Sequence, residues 1–129
     1  MIITQPVIRG AAGTLIGALS VYVGEPTIIA FVQDRLYVAV DGQKSLAYEQ
    51  EVLFGTEGGG LQALESSLWA VLNGVQTQIM MDRQLQWPTV NGRDLYEPRV
   101  VCVNTSFAFA GYASGREWAW GYCLSLQPT

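Results

Sequence analysis

Apolar residues return at helical intervals along the start of the chain. Ile8, Ala11, Ala12, Leu15, Leu19 and Tyr22 share one face, the spacing of an amphipathic helix. Thr4 stands where an N-cap belongs. Pro6 falls in the first turn, where a missing N–H is tolerated. Gly10, Gly13 and Gly17 form a second stripe. Each costs a helix about 1 kcal/mol relative to alanine, which points to close approach of another backbone. The competing reading is a turn-rich segment that is only partly helical, with Val21 to Val23 already extended.

The period then drops to two. "PTIIAFV" and "RLYVAV" are short β-branched runs and predict strands, with Gln33-Asp34 turning the chain between them. "DGQK" at Asp41 to Lys44 is a turn signal. "SLAYEQEVLF" alternates. Leu46, Tyr48, Val52 and Phe54 lie with Gln50 on one face, and Ala47, Glu49 and Glu51 lie on the other. That is a half-exposed strand of an antiparallel sheet. After "GTEGGG" comes the strongest helical stripe of the chain, Leu61, Leu64, Leu68, Val71 and Leu72, with Gln62, Glu65 and Ser66 on the opposite side. Asn73-Gly74 predicts its end, and "VQTQIMM" predicts a further short strand. Asp82 to Pro98 is irregular, punctuated by Trp87-Pro88, Asn91-Gly92 and Glu97-Pro98. A loop of that length usually carries function or makes contacts.

The last third predicts a hairpin, "RVVCVNTSFAFAG" paired with "EWAWGYCLSL". Val101, Val103, Phe107 and Phe109 alternate with small residues on the first arm. Trp118, Trp120, Tyr122, Leu124 and Leu126 do so on the second. A tight turn at Tyr112-Ala113 or Ala113-Ser114 sets large opposite large, giving one aromatic face and one small-residue face. On that register Cys102 falls opposite or diagonal to Cys123. Two reduced thiols are the favoured reading, because disulfides are rare in the cytoplasm.

The pattern therefore predicts an α+β fold. It has an antiparallel β-sheet with one or two packed helices and a long C-terminal aromatic hairpin, in a single domain over residues 1–129.

Composition changes this picture in one direction. Half of the 129 residues are hydrophobic and only 14% are charged, against about 25% in an average domain. Such a surface is easily shared with other subunits. The net charge is −4, from 7 basic and 11 acidic residues, and the basic ones do not cluster. Sequence-specific nucleic-acid binding is not expected. The chain has no histidine, which removes the commonest general base and metal ligand. Two cysteines without clustered partners predict no metal site. The apolar run after Arg9 resembles a signal sequence. It follows an already apolar start, however, and is shorter than the roughly 20 residues that span a bilayer. The expectation is a soluble protein made in the cytoplasm, without a membrane partner.

Three constellations bear on chemistry. The glycine-rich turn lacks the Lys-Ser/Thr of a phosphate loop and the spacing of a dinucleotide fingerprint, and Glu57 would repel a phosphate. It is expected to be a flexible joint. Trp118, Trp120, Tyr122, Phe107 and Phe109, with Arg116 as a cation–π partner, could form a stacking platform. The plainer reading makes that face core. Glu49 and Glu51 share a strand face, as paired catalytic carboxylates do, but nothing else supports an active site. The chain is expected not to be an enzyme and to need no cofactor.

The order of elements, carried by "QPVIRGAAGTLIGAL", "EPTIIAFV", "SLAYEQEVLFG", "LQALESSLWAVLNG" and the segment from Arg99 to Leu126, resembles the tail-terminator and tail-completion (neck) proteins of tailed bacteriophages. The resemblance implies a small α+β subunit of a ring in the virion, synthesised in the host cytoplasm. Its partners would be its own copies and other virion structural proteins. The candidate interface residues are Gly13, Gly17, Gly58, Gly59, Trp87, Arg93, Tyr96, Tyr112 and Arg116. The alternative expectation is a small-molecule or glycan-binding module with an aromatic-lined sheet.

Overall fold

The apolar stripe that begins at Leu61 does not stop at Asn73-Gly74. In the computed structural model the helix runs from Gly60 to Arg83 (α2), and the expected strand "VQTQIMM" is its second half. Val75 and Ile79 continue the line of Leu64, Leu68 and Leu72, and all five are fully buried. Burying each such side chain is worth about 1.5–3 kcal/mol, which outweighs the roughly 1 kcal/mol cost of Gly74 within a helix. The helix ends where Gln84 adopts φ 55°.

The structure describes residues 5–24, 27–32, 35–39, 48–51, 60–90, 95–104 and 106–126, with backbone alone for 31–32 and 48–51. The first helix, α1, spans Gln5–Val23. The extended conformation expected for Val21 to Val23 is not found. Tyr22 packs on Trp87 and Trp120 instead, which holds the last turn helical. Gly24, at φ 75°, stops the helix, its N–H bonded to the Ser20 carbonyl at 3.0 Å.

Strands β1 (Ile28–Val32), β2 (Arg35–Ala39) and β3 (Tyr48–Glu51) form an antiparallel sheet in that order. They lie within the three predicted strand segments. The turns at Gln33-Asp34 and Asp41–Lys44, and the glycine joint from Gly55 to Gly59, lie outside the described residues.

The second sheet departs most from expectation. "RVVCVNTSFAFAG" is not one strand but two, β4 (Glu97–Cys102) and β5 (Phe107–Ser114). Asn104 folds the chain between them, its Oδ1 accepting the N–H groups of Ser106 (2.7 Å) and Phe107 (3.2 Å), the side-chain-closed turn that Asn favours. With β6 (Glu117–Ser125) they make an antiparallel sheet of order β4-β5-β6.

The register is corrected as well. The β5–β6 turn is Gly115-Arg116, with Gly115 at φ 60°, a two-residue turn that places glycine first. A bulge follows: Ala113 pairs with Trp118 but Tyr112 pairs with Trp120, so Ala119 is the extra residue. Beyond it large residues face small ones, Phe109 opposite Cys123 and Ala110 opposite Tyr122. The bulge also sends Trp118 to the sheet face opposite that of Trp120 and Tyr122.

Both helices touch both sheets, α1 against β1 and β6, and α2 against β2, β4 and β5. Their buried side chains join those of the strands in a single hydrophobic cluster. The fold is α+β, with antiparallel sheets, packed helices and a C-terminal aromatic cluster. By length and composition α1 is apolar enough to cross a membrane. In this fold its Ile8, Ala12, Leu15 and Leu19 are core residues.

Candidate functional site: the C-terminal sheet and its flanking groove

The three strands of the second sheet put two different surfaces back to back. On the inner face, Cys102, Ala108 and Leu124 align across the sheet, then Val100, Ala110 and Tyr122, then Pro98, Tyr112 and Trp120. Ala108, Ala110, Tyr112 and Leu124 are buried beneath the helices. Tyr112 donates its hydroxyl to the Leu72 carbonyl of α2 at 2.8 Å. Tyr22 stacks on Trp120 at 5.1 Å, Trp120 stacks on Tyr122 at 6.4 Å, and Trp87 meets Tyr112 edge-on at 5.1 Å. This aromatic ladder starts in the core and ends at Tyr122, which is partly open to solvent.

On the outer face, Val101, Phe109 and Cys123 align, and Phe107 and Trp118 lie to either side. Phe109 packs edge-on against Trp118, with centroids 4.8 Å apart at 86°. A side chain at Gly121 would collide with the Phe109 ring, so that glycine is the space the ring occupies. Arg99 stands 5.5 Å from the Trp118 ring centre and donates to the Gly115 carbonyl at 2.6 Å. The cation–π partner of Trp118 is Arg99, two strands away on β4, where the sequence suggested Arg116. Phe109 and Trp118 are half-buried against each other, and the margins of this face are open. Phe107 is 46% exposed, Val101 44% and Val103 67%. The expectation of one aromatic core face does not hold. The bulge divides the aromatic residues between two faces, and only the inner set reaches the core.

Beside the sheet, α2 runs antiparallel to the edge strand β4. The Leu61 carbonyl lies near Cys102 Sγ at 4.0 Å, and Gln76 Nε2 donates to the Tyr96 carbonyl at 2.5 Å and to the Trp87 carbonyl at 3.1 Å. Between these anchors lies a groove of two lobes, about 440 and 310 Å³, which share Trp69.

The candidate interface residues are scattered. Gly13 and Gly17 are exposed on α1, and no described residue comes within 4 Å of where a side chain would start. Gly58, Gly59 and Arg93 lie outside the described residues. Trp87 is half-buried against the core. Tyr96 and Tyr112 are fully buried, a correction to their reading as surface contacts: Gln76 holds the Tyr96 backbone to α2, and Leu72 holds the Tyr112 hydroxyl. Arg116 is exposed at the β5–β6 turn. Sequence reasoning missed Arg99, Trp69 and Leu95. Trp69 left a trace, as a tryptophan off the apolar stripe of α2.

The two cysteines are free and lie on opposite faces of the sheet. Burial, and then the neighbouring Glu65 carboxylate, pushes the Cys102 thiol up to about 11. Glu49 and Glu51 sit in β3 opposite Tyr37 and Arg35 in the backbone register. Among the described residues no three His, Cys, Asp or Glu side chains converge on a point.

No protein-family model, curated protein or solved structure matches the chain. The functional reading therefore rests on the residues themselves.

Proposed function

We propose that the protein is a non-enzymatic binding module whose working surface is the outer face of the C-terminal sheet, and that its occupant is another copy of the chain. The observation that carries this is the apolar cluster of exposed Val101 and Phe107 with half-buried Phe109 and Trp118. Apolar clusters of this kind mark association surfaces. Glu97 and Arg99 on the margin of the same face supply both signs of charge, which is compatible with a surface that meets its own copies. The low charge of the chain as a whole points the same way. A ring subunit of the tail-terminator kind is the specific form of this reading that the sequence resemblance suggests.

Light scattering after size exclusion tests it. The wild-type chain should elute as an oligomer, and Phe107→Ser with Val101→Ser should elute as a monomer with an unchanged circular dichroism spectrum. A wild-type monomer at high concentration would overturn the reading. Annular particles in negative stain would support the ring form.

A glycan or small planar ligand is the second reading, and the Tyr22–Trp120–Tyr122 ladder favours it. The ladder ends in a partly open ring, and such a ring is a stacking surface. Tryptophan fluorescence quenched by a glycan, and no longer quenched in Tyr122→Ala, would favour it over self-association. An unchanged signal across a glycan panel would remove it.

A further inference from the structure

Among the described residues β6 is the other edge of the second sheet. The Leu126 N–H bonds the Ser106 carbonyl at 2.7 Å, continuing the β5–β6 register. Bonded pairs alternate in an antiparallel ladder. Beyond the bulge the even-numbered residues of β6 therefore face β5, and Gly121, Cys123 and Ser125 turn their backbone N–H and carbonyl groups to the edge. Sheet edges are ordinarily blunted by proline or charge. The β4 edge has Pro98, whereas Gly121, Cys123 and Ser125 bring neither.

Helix α1 flanks this edge. Tyr22, in its last turn, stacks on Trp120. Pro6, Gly10 and Thr14, near its start, share a cleft of about 400 Å³ with Ser125 and Leu126. The helix thus runs antiparallel to β6, and Cys123 falls beside the turn from Gly13 to Gly17. Gly10, Gly13, Thr14, Gly17 and Val21 form an exposed stripe, with Val21 84% open to solvent. An exposed helix face ordinarily carries charge. This stripe carries none, and its one hydroxyl, on Thr14, is turned back to the Gly10 carbonyl at 3.0 Å.

Edge and stripe together select the partner. Paired strands lie about 4.8 Å apart. Packed helices lie about 8–10 Å apart, and come closest where glycine removes the side chains. A strand that reaches β6 with a helix beneath it fits only where both helices are bare, and a second copy of this chain brings such a helix.

We propose that β6 pairs antiparallel with β6 of a second copy, about a twofold axis at Cys123, and that the glycine stripes of the two α1 helices meet beneath the joined sheet. In this register all three edge-facing residues of each copy find partners, Cys123 opposite Cys123 and Gly121 opposite Ser125. The axis crosses the helices between Gly13 and Gly17 and sets Val21 of each over Gly10 of the other. Arg9 of each copy lies at an opposite end, so like charges do not meet. The inference rests on the self-association reading and adds a second contact to it. Glycine, serine and threonine bury little apolar surface, so the edges join copies that the outer face has gathered.

Hydrogen exchange on the full chain, with size exclusion alongside, tests it. The Gly121, Cys123 and Ser125 amides should exchange about tenfold or more slowly in the wild-type oligomer than in the Phe107→Ser, Val101→Ser monomer. Gly13→Lys with Gly17→Lys adds bulk and charge to the stripe where no described residue stands in the way, and lysine suits a helix better than glycine. This variant should keep its circular dichroism spectrum, exchange those amides at the monomer's rate and elute as a smaller oligomer held by the outer face alone. Should it fail to fold, Ser125→Pro replaces it by deleting one edge N–H, with the same expectation. Equal exchange in wild-type oligomer and monomer, or an oligomer of unchanged size in the lysine variant, would overturn the proposal and leave the outer-face reading standing. A wild-type monomer at high concentration would overturn both.

Discussion

The two faces of the β4-β5-β6 sheet invert the usual rule of size. On the central strand the small residues Ala108 and Ala110 point into the core, while Phe107 and Phe109 point away from it. The reason lies in what sits above each face. Small residues on β5 let α2 approach the sheet closely, so the helix supplies the bulk through Leu68 and Leu72. At the turn end of the sheet, Tyr112 reaches the helix backbone itself, and Trp87, Trp120 and Tyr22 gather beside it. On the outer face Phe107 and Val101 stay exposed, and Phe109 and Trp118 are half-buried against each other. Alternation of large and small thus reports the two faces of a strand, but the packed layer decides which of them is core.

Substitutions can break that comparison. The largest expected effect is Leu72→Ala, which should cost about 2–5 kcal/mol because it opens a cavity under the inner face. Phe107→Ser on the outer face should change stability by about 0.5 kcal/mol or less. Urea unfolding of both variants, at protein concentrations low enough to hold them monomeric, measures the contrast. Equal losses would show that the outer face is covered as thoroughly as the inner one.

Overpacking gives the next contrast. Ala110→Leu should cost about 1–3 kcal/mol, since α2 leaves no room for the added carbons. Val101→Leu, across the sheet, should be close to neutral. Tyr112→Phe is a smaller probe. It removes only the hydroxyl bonded to Leu72, and a loss of about 0.5–1.5 kcal/mol in the unfolding free energy is expected.

The two thiols sharpen the comparison without altering packing. The thiolate is the reactive form, and the Cys102 thiol is held up to about 11 by burial and by Glu65. Cys123 lies exposed on the outer face. Iodoacetamide near pH 8 should therefore label Cys123 first, and peptide mapping should find Cys102 modified at a comparable rate only in denaturant. The raised value favours the protonated thiol in the folded state. Its contribution to stability is present below the ordinary thiol range and is lost as pH rises through about 11. Faster labelling of Cys102 in the native protein would contradict this placement.

The sequence by itself determined the helical stripes of α1 and α2, the three strands of the first sheet and the antiparallel α+β class. Those features follow from local periodicity and residue type, which any short window of the chain displays. It did not determine where α2 ends, because Asn73-Gly74 is a sound local stop that loses to the distant burial of Val75 and Ile79. Nor did it determine that "RVVCVNTSFAFAG" folds back on itself at Asn104, or that one bulge residue, Ala119, moves Trp118 away from Trp120. Register within a hairpin is set by turn and bulge geometry, and a shift of one residue exchanges every side chain between faces. The candidate surfaces depended on that shift. Which aromatic residues became core and which stayed exposed was decided only when the helices packed against the side of the sheet that carries Ala108, Ala110 and Tyr112.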